Sequence, residues 1–307
     1  MIISASRRTD IPAFYSEWFL RRLAEGRFLV PHPKAPGRLG LVRVCPENLD
    51  CIMFWTKNAG PMLDRLKAID QLGYRYYFSF TITAYGPEKE KNLPPKSEVV
   101  DTFRRLADKI GPERVDWRFD PIMVDELQNG PWHLDRFGEL CRKLRAYTDR
   151  CIVNFVKSYR HLAGKVKEME DSAIEELASG LVRVAAEYRL PLFNCTERWN
   201  LEKKGLGFSA CIDRRKIESL VGGPIRAVKD PGQPPICRCL ESVDVGVYDT
   251  CAHGCLYCYA VTSNERLRRR MAAHDPDAPM LSGYPGGDEI VSDRTRPTFR
   301  DCRPRLF

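Results

Sequence analysis

The sequence predicts an α/β protein folded as one (β/α) barrel, complete or partial, with a cysteine-rich loop near its C-terminus. Three observations predict it. Seven strand-like runs alternate with helix-like runs, which argues for a parallel sheet. Several of those runs are apolar on both faces, as strands buried between layers are. Nearly all of them end in polar, chemistry-bearing residues, the pattern expected where parallel strands present their carboxyl ends to a site. The length of 307 residues fits a single barrel of TIM type. Residues 1–273 are assigned to it, including the cysteine-rich loops, and residues 274–307 to an irregular C-terminal tail rich in Pro, Gly and Arg.

The elements follow in order. A strand over 2–6 runs into Arg7, Arg8 and Asp10, and Asp10 is placed to cap a helix over 12–25 with Pro12 just inside. A strand over 51–55 leads into Thr56, Lys57 and Asn58, and a helix over 61–72 sets Leu63, Leu66 and Ile69 on one face. The strand over 76–83 carries Thr81 and Thr83 towards Tyr85 and is followed by a helix over 96–110. The strand over 114–119 ends Arg118-Phe119-Asp120-Pro121, before a helix over 133–147. The strand over 151–156 gives Lys157 and Tyr159, before a helix over 172–188. The strand over 190–195 ends Asn194-Cys195-Thr196-Glu197. A Pro- and Gly-rich loop over 223–239 then precedes the last strand, 243–248.

Arg8, Asp10, Lys57, Arg118, Asp120 and Lys157 therefore gather at one rim. Arg and Lys there suit carboxylate or phosphate groups, while Arg8–Asp10 and Arg118–Asp120 equally suit ion pairs that lock the rim. Lys57 and Lys157 become acid/base groups if desolvated.

Composition narrows the classes. A hydrophobic content of 43% excludes wholesale disorder, and a net charge of +8 is too diffuse to specify nucleic acid. No apolar run approaches the roughly 20 residues of a membrane span, and no secretory signal opens the chain. A cytoplasmic protein is expected, in which thiols stay reduced. Its 12 Cys then point to metal or catalysis.

The strongest motif is Cys251-Ala252-His253-Gly254-Cys255-Leu256-Tyr257-Cys258-Tyr259. Three thiolates from one tight loop leave one coordination position open. On zinc that position takes a water or a distant ligand; on a [4Fe-4S] cluster it leaves one iron exchangeable. This spacing, with an aromatic before the last Cys, resembles the cluster loop of the radical S-adenosylmethionine (SAM) superfamily, and its extended form is similar to the branch containing spore photoproduct lyase. The resemblance implies that Cys251, Cys255 and Cys258 each hold one iron, that the fourth iron binds SAM, and that Tyr257 lies near the adenine. It implies reductive cleavage of SAM to a 5′-deoxyadenosyl radical that abstracts hydrogen from a substrate. It also implies an electron donor such as flavodoxin or ferredoxin. His253 would hydrogen-bond a cluster sulfur or SAM, or merely shape the loop. Arg8 and Asp10 would face the cofactor, and Lys57, Arg118, Asp120 and Lys157 the chemistry.

In that superfamily the loop follows the first strand. Here it follows the last, as circular permutation would produce. Together with Ser6-Arg7-Arg8-Thr9-Asp10-Ile11-Pro12, Phe54-Trp55-Thr56-Lys57-Asn58 and Arg118-Phe119-Asp120-Pro121, the late loop resembles a bacterial family labelled domain of unknown function 1848. That family names no substrate, so a small molecule, peptide or nucleotide all remain open.

Four further cysteines, Cys195, Cys211, Cys237 and Cys239, suit an auxiliary iron–sulfur cluster, a closed structural zinc, or no metal at all. Cys45, Cys51, Cys141 and Cys151 read as core residues, and Cys302 has no assigned role. Arg266, Arg268, Arg269 and Arg270, with Arg294, Arg296, Arg300, Arg303 and Arg305, offer either phosphate contacts for nucleic-acid repair or modification, or a solvated face. Nearby acids favour the solvated face. A zinc-stabilised binding module without turnover is the alternative from another class.

Overall fold

The computed structural model describes residues 1–196 and 198–301. The strands are β1 (Ile2–Ala5), β2 (Arg27–Pro31), β3 (Arg38–Arg43), β4 (Cys51–Thr56), β5 (Tyr76–Thr81), β6 (Val115–Ile122), β7 (Cys151–Phe155), β8 (Leu192–Asn194), β9 (Gly207–Phe208), β10 (Val243–Asp244) and β11 (Ile290–Asp293). The α-helices are α1 (Ile11–Phe14), α2 (Ser16–Ala24), α3 (Leu66–Gln71), α4 (Lys96–Ile110), α5 (Gly130–Leu144), α6 (Asp171–Glu187), α7 (Arg214–Val221) and α8 (Asn264–Ala272).

Eight strands form one parallel sheet in the order β10-β1-β4-β5-β6-β7-β8-β9. The seven expected strands are all in it. Sheet order follows chain order except that β10 lies beside β1, pairing Val243 with Ile3 and Asp244 with Ser4. The last strand of the chain's sheet thus occupies the first place. Among the described residues no ladder joins β9 to β10, so the sheet has a seam there.

Side chains alternate across the sheet with period two. One face, carrying Ile52, Phe54, Tyr76, Phe78, Val115, Trp117 and Val153, packs on the helices as the main core. Phe54 stacks on Phe78 with centroids 4.7 Å apart, and Trp117 on Phe137 of α5 at 5.2 Å. The other face is mixed. Ile2, Cys51, Met53 and Tyr77 are apolar or amphipathic, whereas Ser79, Asp116 and Arg118 are polar and buried.

At the amino end of the sheet, Asp116 takes both prongs of Arg150 at 2.7 Å and Lys216 Nζ at 2.7 Å. Arg150 also donates to Ser209 Oγ, and Lys216 to the Glu113 carbonyl and Asp149. This network ties α7 and the chain before it to β6 and β7.

Asp10 caps α1 as expected, accepting from Ala13 N at 3.0 Å. The expected first helix is nevertheless broken in two at Tyr15, and the second begins as a 3-10 turn over Gly60–Arg65. The hairpin of β2 and β3 and the short α7 were not expected. The hairpin's strands flank a Pro- and Gly-rich run that reads as plain loop.

The described C-terminal tail is mostly irregular, as expected, but holds one strand the sequence does not reveal. β11 pairs in parallel with β3 in a separate three-stranded sheet, and Thr298 and Arg300 bind the buried carboxylate of Asp50. Short-range periodicity does not reveal a strand whose partner lies some 250 residues away. Cys302, Arg303, Arg305 and Glu197 lie outside the described residues.

Gly246, just after β10, packs against Ser6. A Cβ there would run into the Ser6 side chain, itself bonded to Asp244. Gly246→Ala is expected to destabilise the protein by about 1–3 kcal/mol through overpacking, seen as a lower denaturant midpoint at unchanged slope.

Candidate functional site

Beyond β10 the chain rises to the carboxyl edge of the sheet and turns through the three-cysteine loop. Asp249 closes the neck: its N–H donates to Ala260 O at 2.9 Å, and its carboxylate accepts from Thr262 N, Ser263 N and Arg266 Nε. Tyr15 OH donates to Thr250 O from α1's side. The segment 89–92 clamps the tip. Leu256 N donates to Lys89 O, Asn92 N to His253 O, and Asn92 Nδ2 to Ala252 O, at 2.7–3.0 Å. Gly254 sits at φ +68°, and a Cβ there would approach Asn92 Nδ2 to 3.1 Å. Gly254→Ala is expected to cost about 1–2 kcal/mol locally, measured as faster hydrogen exchange across the loop than elsewhere.

Cys251, Cys255 and Cys258 are partly exposed on this loop and near enough to influence one another's ionisation. Burial pushes all three thiols up; at Cys255 it reaches about 12 despite the opposing Lys57 charge. A positively charged group bound among them would reverse that preference. Among the described residues no three His, Cys, Asp or Glu side chains converge on a point suited to a single metal ion. Three thiols bound to separate irons of a cluster do not have to.

Two buried acids hold the loop to the sheet. Asp10 accepts from Thr56 Oγ1 at 2.8 Å, from Lys57 N at 2.7 Å and from His253 Nε2 at 2.8 Å, besides capping α1. Both of its carboxylate oxygens are therefore engaged by protein donors. It also makes no pair with Arg8. His253 shapes the loop, packing its ring on Phe14 at 4.7 Å. Its Nδ1 is buried without a partner among the described residues.

The second acid, Glu90, was not anticipated. It accepts from Lys57 Nζ at 2.7 Å, Lys96 Nζ at 2.9 Å, Thr83 Oγ1 at 2.7 Å and the Tyr257 hydroxyl. Burial would raise its pKa, but Lys57 and Lys96 outweigh it and hold it at about 2. Burial likewise opposes the Lys57 charge, and Glu90 overrides it, so Lys57 is held protonated. Tyr257, buried against Tyr85, is anchored by Glu90.

The remaining expected residues divide. Arg118 and Asp120 form the rim ion pair. Arg8 donates to Gly246 O at 3.1 Å and lies over Tyr248. Lys157 is exposed, apart from the buried network. His161, given no role in the sequence reading, meets the Cys258 carbonyl at 2.9 Å. Arg266 and Arg270 of α8 are engaged with Asp249 and the Tyr248 carbonyl, which weakens their reading as phosphate contacts.

The other four cysteines come together. Cys211 and Cys239 are buried in one cluster, and Cys195 and Cys237 pack against it. Arg118 Nη1 is 3.0 Å from Cys211 Sγ and Nη2 is 3.5 Å from Cys195 Sγ. Cys51, Cys141 and Cys151 are fully buried core residues, as expected, whereas Cys45 is half-buried and lies outside the core.

A separate cavity of about 1090 Å³ lies near the amino ends of β6–β8, lined among others by Arg114, Arg150, Arg215, Lys216 and Arg238. None of the expected site residues lines it.

Fold and site together define a parallel-sheet α/β protein with a three-thiol loop at its carboxyl edge and a thiol quartet at its seam. The family model described as Domain of unknown function (DUF1848) matches residues 2–260, and the chain belongs to that family. A search of curated proteins finds no match. Among solved structures, the carboxyl transferase domain Y628A of Rhizobium etli pyruvate carboxylase is similar at 9% identity and TM-score 0.30, over 64% of this chain and 26% of that one. A chain named as an alpha-L-fucosidase from Bacteroides thetaiotaomicron aligns at 8% identity and TM-score 0.28, over 57% of this chain and 74% of its own. Likeness at this level carries no argument about function. Among the described residues no helix is long and apolar enough to cross a membrane.

Proposed function

We propose that this chain is a radical SAM enzyme on a permuted partial barrel, with a [4Fe-4S] cluster held by Cys251, Cys255 and Cys258. The observation that carries the reading is the three-thiol loop after a strand that lies beside β1, at the carboxyl edge of a parallel sheet, clamped by residues from several other elements. When bound, such a cluster supplies the electron that cleaves SAM to a 5′-deoxyadenosyl radical, which takes hydrogen from the substrate. The donor set fits: three thiols, no fourth protein ligand on the loop, and a buried His253 Nδ1 beside them that lacks a partner among the described residues.

The chain's own residues hold and shield the site. Asp10 fixes His253 and the turn after β4. Glu90 keeps Lys57 charged at 15% exposure beside the loop. Ser79 Oγ and Asn154 Oδ1, on the polar face of the sheet, are buried without partners among the described residues and are suited to polar groups of SAM or substrate. Arg8 and Arg118 favour an anionic small molecule, peptide or nucleotide. The exposed Leu256 gives a flavodoxin- or ferredoxin-like donor access to the loop.

Anaerobic reconstitution followed by electron paramagnetic resonance tests the reading. A reduced cluster signal that changes when SAM is added is expected. Stoichiometric zinc without iron or sulfide on this loop would instead identify a binding module without turnover.

A further inference from the structure

We propose that Cys195, Cys211, Cys237 and Cys239 form a second metal centre, a four-thiolate site for an iron–sulfur cluster, whose ligands bind separate irons and need not converge on one ion, that closes the seam of the sheet.

The four residues reach the seam from three separate places. Cys195 directly follows β8, Cys211 lies just after β9, and Cys237 and Cys239 precede β10. Where β9 and β10 share no ladder, the two sides meet through Leu240 N donating to Ile212 O at 3.1 Å and Ile212 N donating to Cys239 Sγ at 3.5 Å. A metal here would covalently join the sheet's two ends. Sequence-distant thiols gathered in one place, none of them in a disulfide, are the usual makings of such a site.

The surroundings suit an anionic centre. Four thiolates around an oxidised [4Fe-4S] core carry a net charge of about −2. Two guanidinium groups flank the sulfurs. Arg118 donates to Cys211 and Cys195, and lies over Trp55. Arg7 lies on the same indole. Arg7 Nη2 is buried with no hydrogen-bond partner among the described residues. A buried guanidinium N–H costs free energy unless it has an acceptor, and a metal-bound thiolate or sulfide would be one. The pair Arg118–Asp120 remains, but Asp120 uses one side of the fork and leaves the other to sulfur.

This proposal does not rest on the function proposed for the first loop, and its test isolates it. A full-length variant with Cys251→Ala, Cys255→Ala and Cys258→Ala is purified and reconstituted without oxygen, and its iron, sulfide and zinc are counted. One centre per chain is expected to survive, as iron with equal sulfide; one zinc per chain without sulfide would overturn the proposal. Adding Cys211→Ser and Cys239→Ser should abolish it, while adding Cys141→Ala, a buried cysteine outside the quartet, should not. If the five-fold variant fails to fold, Cys211→Ser and Cys239→Ser are each added singly to the triple variant, and each is expected to lose that centre. A folded triple variant that binds no metal, or one whose quartet is found as disulfides, would overturn the proposal.

Discussion

Asp116→Asn is expected to lower the free energy of unfolding by on the order of 3–5 kcal/mol, the usual loss when one member of a buried ion network is removed. Asp116 is fully buried and balances Arg150 and Lys216. Asparagine keeps the shape but leaves two buried cations facing a neutral group. The pH dependence has a definite sign. Burial tends to raise the Asp116 pKa, but Arg150 and Lys216 outweigh it and hold it below the ordinary 3.8. Its contribution is therefore fully present above the unfolded-state value and is lost as pH falls through the lower folded value. Urea unfolding at neutral pH and below pH 4 should show the wild type losing stability in acid, with a shallower loss in the variant. Because Ser209, Asp213 and Lys216 all belong to the segment around Cys211, the variant should also loosen the seam.

Glu90→Gln is expected to be nearly as costly, about 3 kcal/mol or more, for a different reason. Lys57 is protonated and largely buried, and without the Glu90 charge it loses the carboxylate to which its ammonium is bonded. Tyr257 loses its carboxylate anchor at the same time. The effect should be uneven. Thermal melting should fall, and iron bound at the three-cysteine loop should fall with it, while metal at the quartet is retained. Unchanged melting and unchanged iron would show that Glu90 does not organise the loop.

Much of this architecture is legible in the chain. Uninterrupted apolar runs such as Cys51–Thr56 and Tyr76–Thr81 announce buried parallel strands, and the Asp10-Ile11-Pro12 signature announces a capped helix. The cysteine spacing marks the loop at once. What escapes is what depends on distant contact. Glu90 sits in a charged, Pro-rich stretch that reads as solvated surface, and only the fold buries it under three donors and a tyrosine. His161 meets the loop across nearly a hundred residues. Asp10 is legible as a cap but not as the link to His253, because one carboxylate serves both. The tail's β11 has four exposed residues, so no apolar pattern marks it. The quartet is intermediate: its residue types stand out, and only the folded chain shows that all four thiols adjoin.

The central claim concerns chemistry at Cys251, Cys255 and Cys258. The most direct measurement is chromatographic assay of 5′-deoxyadenosine after the anaerobically reconstituted, full-length protein is mixed with SAM and a strong reductant. The account predicts 5′-deoxyadenosine and methionine from the wild type and none from Cys258→Ala. A wild type that holds its iron and sulfide yet yields no 5′-deoxyadenosine, or a Cys258→Ala variant that yields as much as the wild type, would contradict it.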